Sequence, residues 1–447
     1  MTLIKSISGI RGTVGGAPGD NLTPVDIVKF AAAYGRWLCN SVPVGHDIRP
    51  VVVLGRDART SGPMVAALIE STLIGCGIDV VDLGLASTPT VEMAVTGKKA
   101  NGGVVVTASH NPAQWNALKL LNGHGEFLND TEGKKILALA EREDFSFVGV
   151  EELGKIVSRE SYDAAHIDAV MALPLVDAGT VRKRRFKVVV DAVNSVGGIV
   201  IPALLRRLGA EVVELNCTPN GCFAHNPEPL AENMVGISAE VVRTGADLGV
   251  VVDPDVDRLA FVCEDGKIFD EEYTLVAVAD YVLSRLPGPG NTVSNLSSSR
   301  ALRDVTRARG GQYAAAAVGE VNVVAKMKET GAVIGGEGNG GVIYPELHYG
   351  RDALVGVALF LSALARSRKS CSQLRAGLPV YKMSKNKIEL TPGINVDCLL
   401  ETVKKAYIKE QVTDIDGIKI DWADGWVHLR KSNTEPIIRI YSEASTI

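Results

Sequence analysis

Residues 50–84 read PVVVLGRDARTSGPMVAALIESTLIGCGIDVVDLG. A short Val-rich run ends in a Gly-Arg-Asp turn, the helix-like GPMVAALIESTLIGCG follows at 62–77, and a second apolar run, IDVVDLG, occupies 78–84. Strands that alternate with helices imply parallel pairing in an α/β fold. The same grammar recurs in GGVVVTASHNP (102–112), in FKVVVDAVNSVGG leading into IVIPALLRRLGAEVVELN (186–216), and in ADLGVVVDPDVDR (246–258). It returns over 290–320 and again at GAVIGGEG (331–338). Three similar tandem α/β units are expected, although no repeat is strong enough in sequence to prove duplication.

The last seventy or so residues differ. KNKIEL (385–390), IKIDWADGWVHLRKS (418–432) and PIIRIYSEA (436–444) alternate as antiparallel strands do, around the helix-like NVDCLLETVKKAY (395–407). The expected fold class is therefore α/β, with three tandem α/β domains of mixed sheets followed by a C-terminal α+β domain. The expected boundaries are 1–152, 153–255, 256–370 and 371–447.

The 447 residues exceed one compact core. A net charge of −5 gives no electrostatic footprint for nucleic acid, and the basic stretch Arg182–Arg185 reads as a solvated linker. Seven cysteines without a CxxC pair point to reduced thiols in a cytoplasmic protein; Cys217 and Cys222 lack the partners a zinc site needs. The N-terminus carries no long apolar segment, and no stretch reaches a membrane-spanning length. Neither export nor a membrane partner is expected.

Four polar stretches carry chemistry. In TASHNP (107–112) a strand end meets an Asn-Pro breaker, which displays Ser109 in a tight loop as a candidate nucleophile. His110 is its neighbour, but adjacent residues of an extended loop point apart, so no Ser/His pair is expected. DPDVDR places Asp253, Asp255 and Asp257 at alternate positions, where converging carboxylates repel unless a cation sits between them; oxygen-only ligands suit Mg²⁺ better than Zn²⁺. A solvated acidic turn is the bland alternative.

GGEGNGG (335–341) lets backbone approach a ligand and offers only Glu337 and Asn339, a pair suited to vicinal hydroxyls. RKSNTEPIIR (430–439) gathers Arg430, Ser432, Asn433, Thr434 and Arg439 into a cradle for a phosphate, or a simple capped turn.

In order and approximate spacing, TASHNP, DPDVDR, GEGNGG and RKSNTEP resemble those of the α-D-phosphohexomutases. So do SGIRG (8–12), VLGRDARTSG (53–62) and GCFAHNPEPL (221–230), and the resemblance runs the whole length. It implies four domains around a central cleft, each donating a loop. It implies that Ser109 is a phosphoserine exchanging its phosphoryl group with a sugar phosphate through a bisphosphorylated sugar. By the same resemblance Mg²⁺ is held by Asp253, Asp255 and Asp257 with Ser109, Arg11 and Arg258 support the phosphoryl group, and Lys119 assists proton transfer.

The sugar loop departs from many relatives, having Asn339 and Gly341 where they carry Ser and His. Glu320, in VGE (318–320), aligns with an acid of phosphoglucosamine mutases and makes glucosamine phosphate the preferred expectation, with mannose or glucose phosphate next. A non-catalytic sugar-phosphate binding protein is the reading from another class. The expected partner is a phosphorylated hexose or hexosamine, with a sugar bisphosphate as activator, acting on a monomer or homodimer.

Overall fold

The computed structural model describes residues 2–6, 9–41, 49–390, 395–431 and 437–446. Four sheets follow one another along the chain. In the first, Asp79–Leu85, Val51–Arg56 and Gly102–Val106 are parallel neighbours and Trp115–Leu121 adds antiparallel. In the second, Glu211–Leu215, Lys187–Asp191 and Leu248–Val252 run parallel and Leu259–Cys263 adds antiparallel. In the third the series is Tyr313–Ala316, Thr292–Asn295, Ile334–Glu337 and then antiparallel Gly341–Ile343.

The strand order and direction are the same three times. In each sheet the turn into the antiparallel strand carries one of the polar stretches: TASHNP, DPDVDR and GEGNG. The expected α/β repetition is thus realised in topology, which a drifting sequence does not display. Lys382–Glu389, Gln411–Thr413, Ile418–Asp421, Gly425–Lys431 and Ile437–Ala444 form a five-stranded sheet, all of whose pairings are antiparallel, covered by the helix Val396–Ala406.

The expected boundaries need moving. Ile156–Arg159 pairs with Asp79–Leu85, so the first sheet continues past 152. Leu248–Val252 and Leu259–Cys263 are one hairpin, so 255/256 cuts a sheet. The break at 370/371 precedes the helix Cys371–Ala376, which packs on Glu271–Arg285. The second and third units share one core, because the apolar helix Ala353–Ser367 lies against helices of both. Phe360 of that helix stacks on Phe261 with ring centres 3.7 Å apart. Fully burying such a ring contributes about 1.5–3 kcal/mol.

The last domain docks on the third through polar contacts. Arg300 donates to the carbonyls of Trp422, Ala423 and Gly425 and pairs with Asp421. Buried His428 donates from Nε2 to the Asp416 carbonyl (2.6 Å) and receives the Ser297 hydroxyl at Nδ1 (2.9 Å). Burial pulls the imidazole down to about 4. Its folded value lies below the ordinary 6.5, so between the two the unfolded chain binds more protons. The stability it contributes is complete above pH 6.5 and is lost as the pH falls toward 4. Thermal unfolding over that window should show a loss on the order of 2–3 kcal/mol, and His428→Gln should flatten the slope.

Among the described residues no helix is long and apolar enough to cross a membrane. All seven cysteines are free thiols, and Cys217 donates to the Val190 and Leu215 carbonyls rather than facing a metal.

Candidate active site

The backbone at Ser109 is left-handed, with φ +48. A residue with a Cβ pays for that geometry in local strain, on the order of 1–3 kcal/mol, and keeps it only where its surroundings enforce it. Arg59 does the enforcing. Its guanidinium donates to the carbonyls of Ser109, Asn111, Pro112 and Trp115, while Nε pairs with Asp57 at 3.0 Å. Burial raises the Asp57 carboxyl, and the Arg59 charge and the Thr107 hydroxyl oppose that rise.

Arg59 was not singled out from the sequence, although it lies in the quoted VLGRDARTSG stretch. The i, i+2 placement of Asp57 and Arg59 after a strand was the available signal. Arg59→Ala would leave Asp57 buried without its partner, a change that typically costs about 3–5 kcal/mol. We expect a lowered unfolding temperature and a kcat loss, with Arg59→Lys restoring the first more than the second because an ammonium lacks the fork.

The turn also corrects the reading of His110. With Ser109 left-handed, the two side chains face each other, and Ser109 Oγ lies 3.4 Å from His110 Nδ1. Burial, then Arg258, hold His110 well below the ordinary histidine range, which keeps it neutral.

Ser109 Oγ donates to Asp253 Oδ2 at 2.7 Å. Asp253, Asp255 and Asp257 are fully buried, and ligand atoms from the three lie within 4.8 Å of one another. They converge through a tight turn rather than the expected extended loop. Val256 between them has φ +65, an outlier for a β-branched side chain, and is itself fully buried. The outward oxygens are occupied. Asp255 Oδ2 accepts from Lys119 Nζ (2.6 Å) and Thr88 Oγ1 (2.5 Å); Asp257 Oδ2 accepts from Arg351 (2.8 Å) and Lys119 (3.3 Å).

Asp253 Oδ1 accepts the amides of Asp257 and Arg258. Asp255 Oδ1 and Asp257 Oδ1 are buried with no hydrogen-bond partner. Two orphaned carboxylate oxygens beside a third acid, all from hard oxygen donors, fit a divalent cation such as Mg²⁺. Burial and the neighbouring Asp257 and Asp255 charges push Asp253 well above the usual carboxylate range, as expected of a cluster short of positive charge. Asp257 is held below it: Arg351 and Lys119 outweigh the burial that would raise it.

Lys119 is buried and would lose its proton on that account, but Asp255 and Asp257 hold it charged. In this arrangement it is a cationic electrostatic group, not a base. Arg258 pairs with Glu228 at 3.0 Å. Arg11, on the strand Gly9–Thr13, lies in the field of Arg258, Asp255 and Asp257, and burial and Arg258 lower it.

Glu320 is corrected more sharply. It is buried, and it accepts Arg351 Nε at 2.9 Å and the Arg351 amide at 3.1 Å. The same guanidinium reaches Asp257 and, at 3.1 Å, Glu337. Arg351 was missed in sequence; a lone Arg ahead of a mostly apolar helix was the signal. Glu337 also accepts from Asn295 (2.7 Å) and the Gly319 amide (3.0 Å), and Asn339 Nδ2 contacts it at 3.4 Å. The glycines of this loop serve close packing within the protein rather than ligand approach: a Cβ on Gly338 would stand 1.8 Å from Glu272, and Gly340, at φ +88, 2.3 Å from the Leu259 carbonyl.

Ser432, Asn433 and Thr434 lie outside the described residues. Arg430 and Arg439 are direct cross-strand partners, and Lys387 lies opposite Arg439 on its other side. Three cations in one row across a sheet repel one another, so the row suits an anion. Arg430 is steadied by Asp416, 3.2 Å away.

The chain matches, in order, the four domains described for phosphoglucomutase/phosphomannomutase: α/β/α domain I over 3–147, II over 164–266, III over 270–381 and the C-terminal domain over 389–446. It belongs to the phosphoglucomutase/phosphomannomutase family. This phosphohexomutase is 39% identical to a phosphoglucomutase/phosphomannomutase of Thermococcus kodakarensis, covering 98% of this chain and 94% of that one. It is 32% identical to a phosphoglucosamine/phosphogalactosamine mutase of Sulfurisphaera tokodaii, over 99% and 96%. A solved family protein from Burkholderia thailandensis superposes with a TM-score of 0.84 at 29% identity, over 98% and 92%. The phosphohexomutase is an intramolecular phosphotransferase.

Proposed function

We propose that the enzyme interconverts 6-phospho and 1-phospho sugars by way of a phosphoserine at Ser109 and a bisphosphorylated sugar that turns over within the site. The observation that carries this reading is the buried meeting of Ser109 Oγ with Asp253 at 2.7 Å, beside two aspartate oxygens that have no partner. Asp253, Asp255 and Asp257 would hold Mg²⁺, which supplies Lewis-acid polarisation of a phosphoryl oxygen.

The chain's own residues do the rest. In the forward step the P–Oγ bond of Ser109 breaks as a bond forms to a sugar hydroxyl oxygen; the proton that hydroxyl gives up ends on the departing serine oxygen by way of His110, and Lys119, held charged, screens the transfer. In the return step Ser109 attacks the other phosphate of the bisphosphate as the bond from that phosphate to the sugar oxygen breaks, and neutral His110 takes the serine proton at Nδ1, which passes on to the freed sugar oxygen. The row Lys387–Arg439–Arg430 clamps the phosphate that is not being transferred, joined by Ser432, Asn433 and Thr434. Arg11 and Arg258 flank the transferring group. A sugar hydroxyl would bind Glu337 by displacing its longest contact, the 3.4 Å one to Asn339, leaving Asn339 free to bind the next hydroxyl.

Glucosamine phosphate remains a substrate in this reading, but the ground for preferring it is weakened, because the Glu320 carboxylate is already engaged by Arg351. Glucosamine, glucose and mannose phosphates should therefore give kcat/KM values within about tenfold, or ~1.4 kcal/mol, of one another. Glu320→Gln should lower all of them alike by loosening Arg351. A hundredfold preference for the amino sugar that Glu320→Gln removes would return Glu320 to reading the C2 ammonium.

A further inference from the structure

A second group of metal-binding side chains lies apart from the aspartate loop. His166 comes from the helix Asp163–Ala172, and His348 and Asp352 come from the segment entering the helix Ala353–Ser367. Asp352 Oδ2 stands 2.8 Å from His166 Nε2 and 3.2 Å from His348 Nε2, and ligand atoms from all three lie within 4.8 Å of one another. His166 and Asp352 are fully buried; the His348 side chain is 13% exposed and leaves a path from solvent.

A polar group stands behind each ligand. His166 Nδ1 faces Thr90 Oγ1 at 2.9 Å, and Asp352 Oδ1 accepts the Leu354 amide at 2.7 Å. His348 Nδ1 faces Glu92 Oε2 at 3.4 Å. Glu92 is 98% buried, and neither of its oxygens, nor His348 Nδ1, has a hydrogen-bond partner. A carboxylate or hydroxyl behind the second ring nitrogen is the arrangement that orients a metal-binding histidine.

We propose that His166 Nε2, His348 Nε2 and Asp352 Oδ2 bind a borderline transition-metal dication of the zinc class, with Glu92 and Thr90 as its outer hydrogen-bond partners. Nitrogen and oxygen ligands of this kind favour zinc over magnesium. The gaps of 2.8 and 3.2 Å need only slight widening to become edges of a zinc tetrahedron with bonds of about 2.0–2.2 Å, whose fourth corner opens beside His348. The ion is a brace. It ties the helix bearing His166 to the third domain and rests both on the first-domain helix Thr88–Gly97, beside Arg351 of the active site.

The test uses the full chain, stripped by chelator, saturated with Mg²⁺ to fill the aspartate site, and titrated with Co²⁺. We expect one intensely absorbing four-coordinate Co²⁺ per chain, displaced by one equivalent of Zn²⁺, and a raised unfolding temperature with either ion. His348→Ala should abolish the band, Glu92→Gln should weaken binding about 10–100-fold, and Asp255→Asn should leave the band intact. No such band in the wild-type chain, or an undiminished one in His348→Ala, would overturn the assignment.

Discussion

Ser109→Ala is expected to lower kcat on the order of 10⁴-fold or more while leaving the unfolding temperature nearly unchanged. The hydroxyl is the only atom lost, and the turn that displays it is held by Arg59 through backbone carbonyls that alanine retains. In the proposed mechanism, what disappears is the acceptor from which the phosphoryl group departs and to which it returns. Transfer through a bound bisphosphate needs that acceptor in every turnover, so substrate binding through Arg430 and Arg439 should persist while catalysis stops. Peptide mass spectrometry of the active wild-type chain should find one phosphate on Ser109 and none on the variant. Full activity from unmodified Ser109 would defeat the mechanism.

The features legible in the sequence were those set by neighbours along the chain. Runs such as Val51–Leu54 and Val250–Val252 place strands, and the polar turns after them place Ser109 and the three aspartates. Long-range pairing was not legible. Arg59 reaches Ser109 across fifty residues, and Arg351 reaches Asp257 across ninety-four. Nothing in the local pattern of either segment records its partner. Glu320 shows the consequence: a carboxylate at the right position in sequence is unavailable because a distant guanidinium has taken it. The facing of Ser109 and His110 turned on a single backbone angle, which the expected extended loop could not supply. The repeated strand order was likewise hidden, since topology tolerates side-chain change as long as the apolar faces persist.

Removal of the divalent cation, or of one of its ligands, is the other change expected to abolish turnover. Asp255→Asn keeps the side-chain shape and the oxygen facing Lys119 and Thr88 but removes one of three negative charges. We expect kcat to fall at least about 10³-fold, the scale of losing a principal electrostatic group at a reacting centre. The wild-type enzyme in excess chelator should be equally inactive and should recover on addition of Mg²⁺. The physical reason lies in the charge count around Ser109. Lys119 and Arg351 answer Asp255 and Asp257 on their outer oxygens only, leaving Asp255 Oδ1 and Asp257 Oδ1 without a partner beside the strongly proton-attracting Asp253, which accepts from the serine. A phosphate on Ser109 brings roughly two further negative charges to that face, and without a cation between them the phosphoserine and the aspartates repel. Chelation should therefore weaken retention of phosphate near Ser109 as well as its transfer. Full turnover in chelator, or an undiminished Asp255→Asn enzyme, would show that Lys119 and Arg351 alone carry the charge.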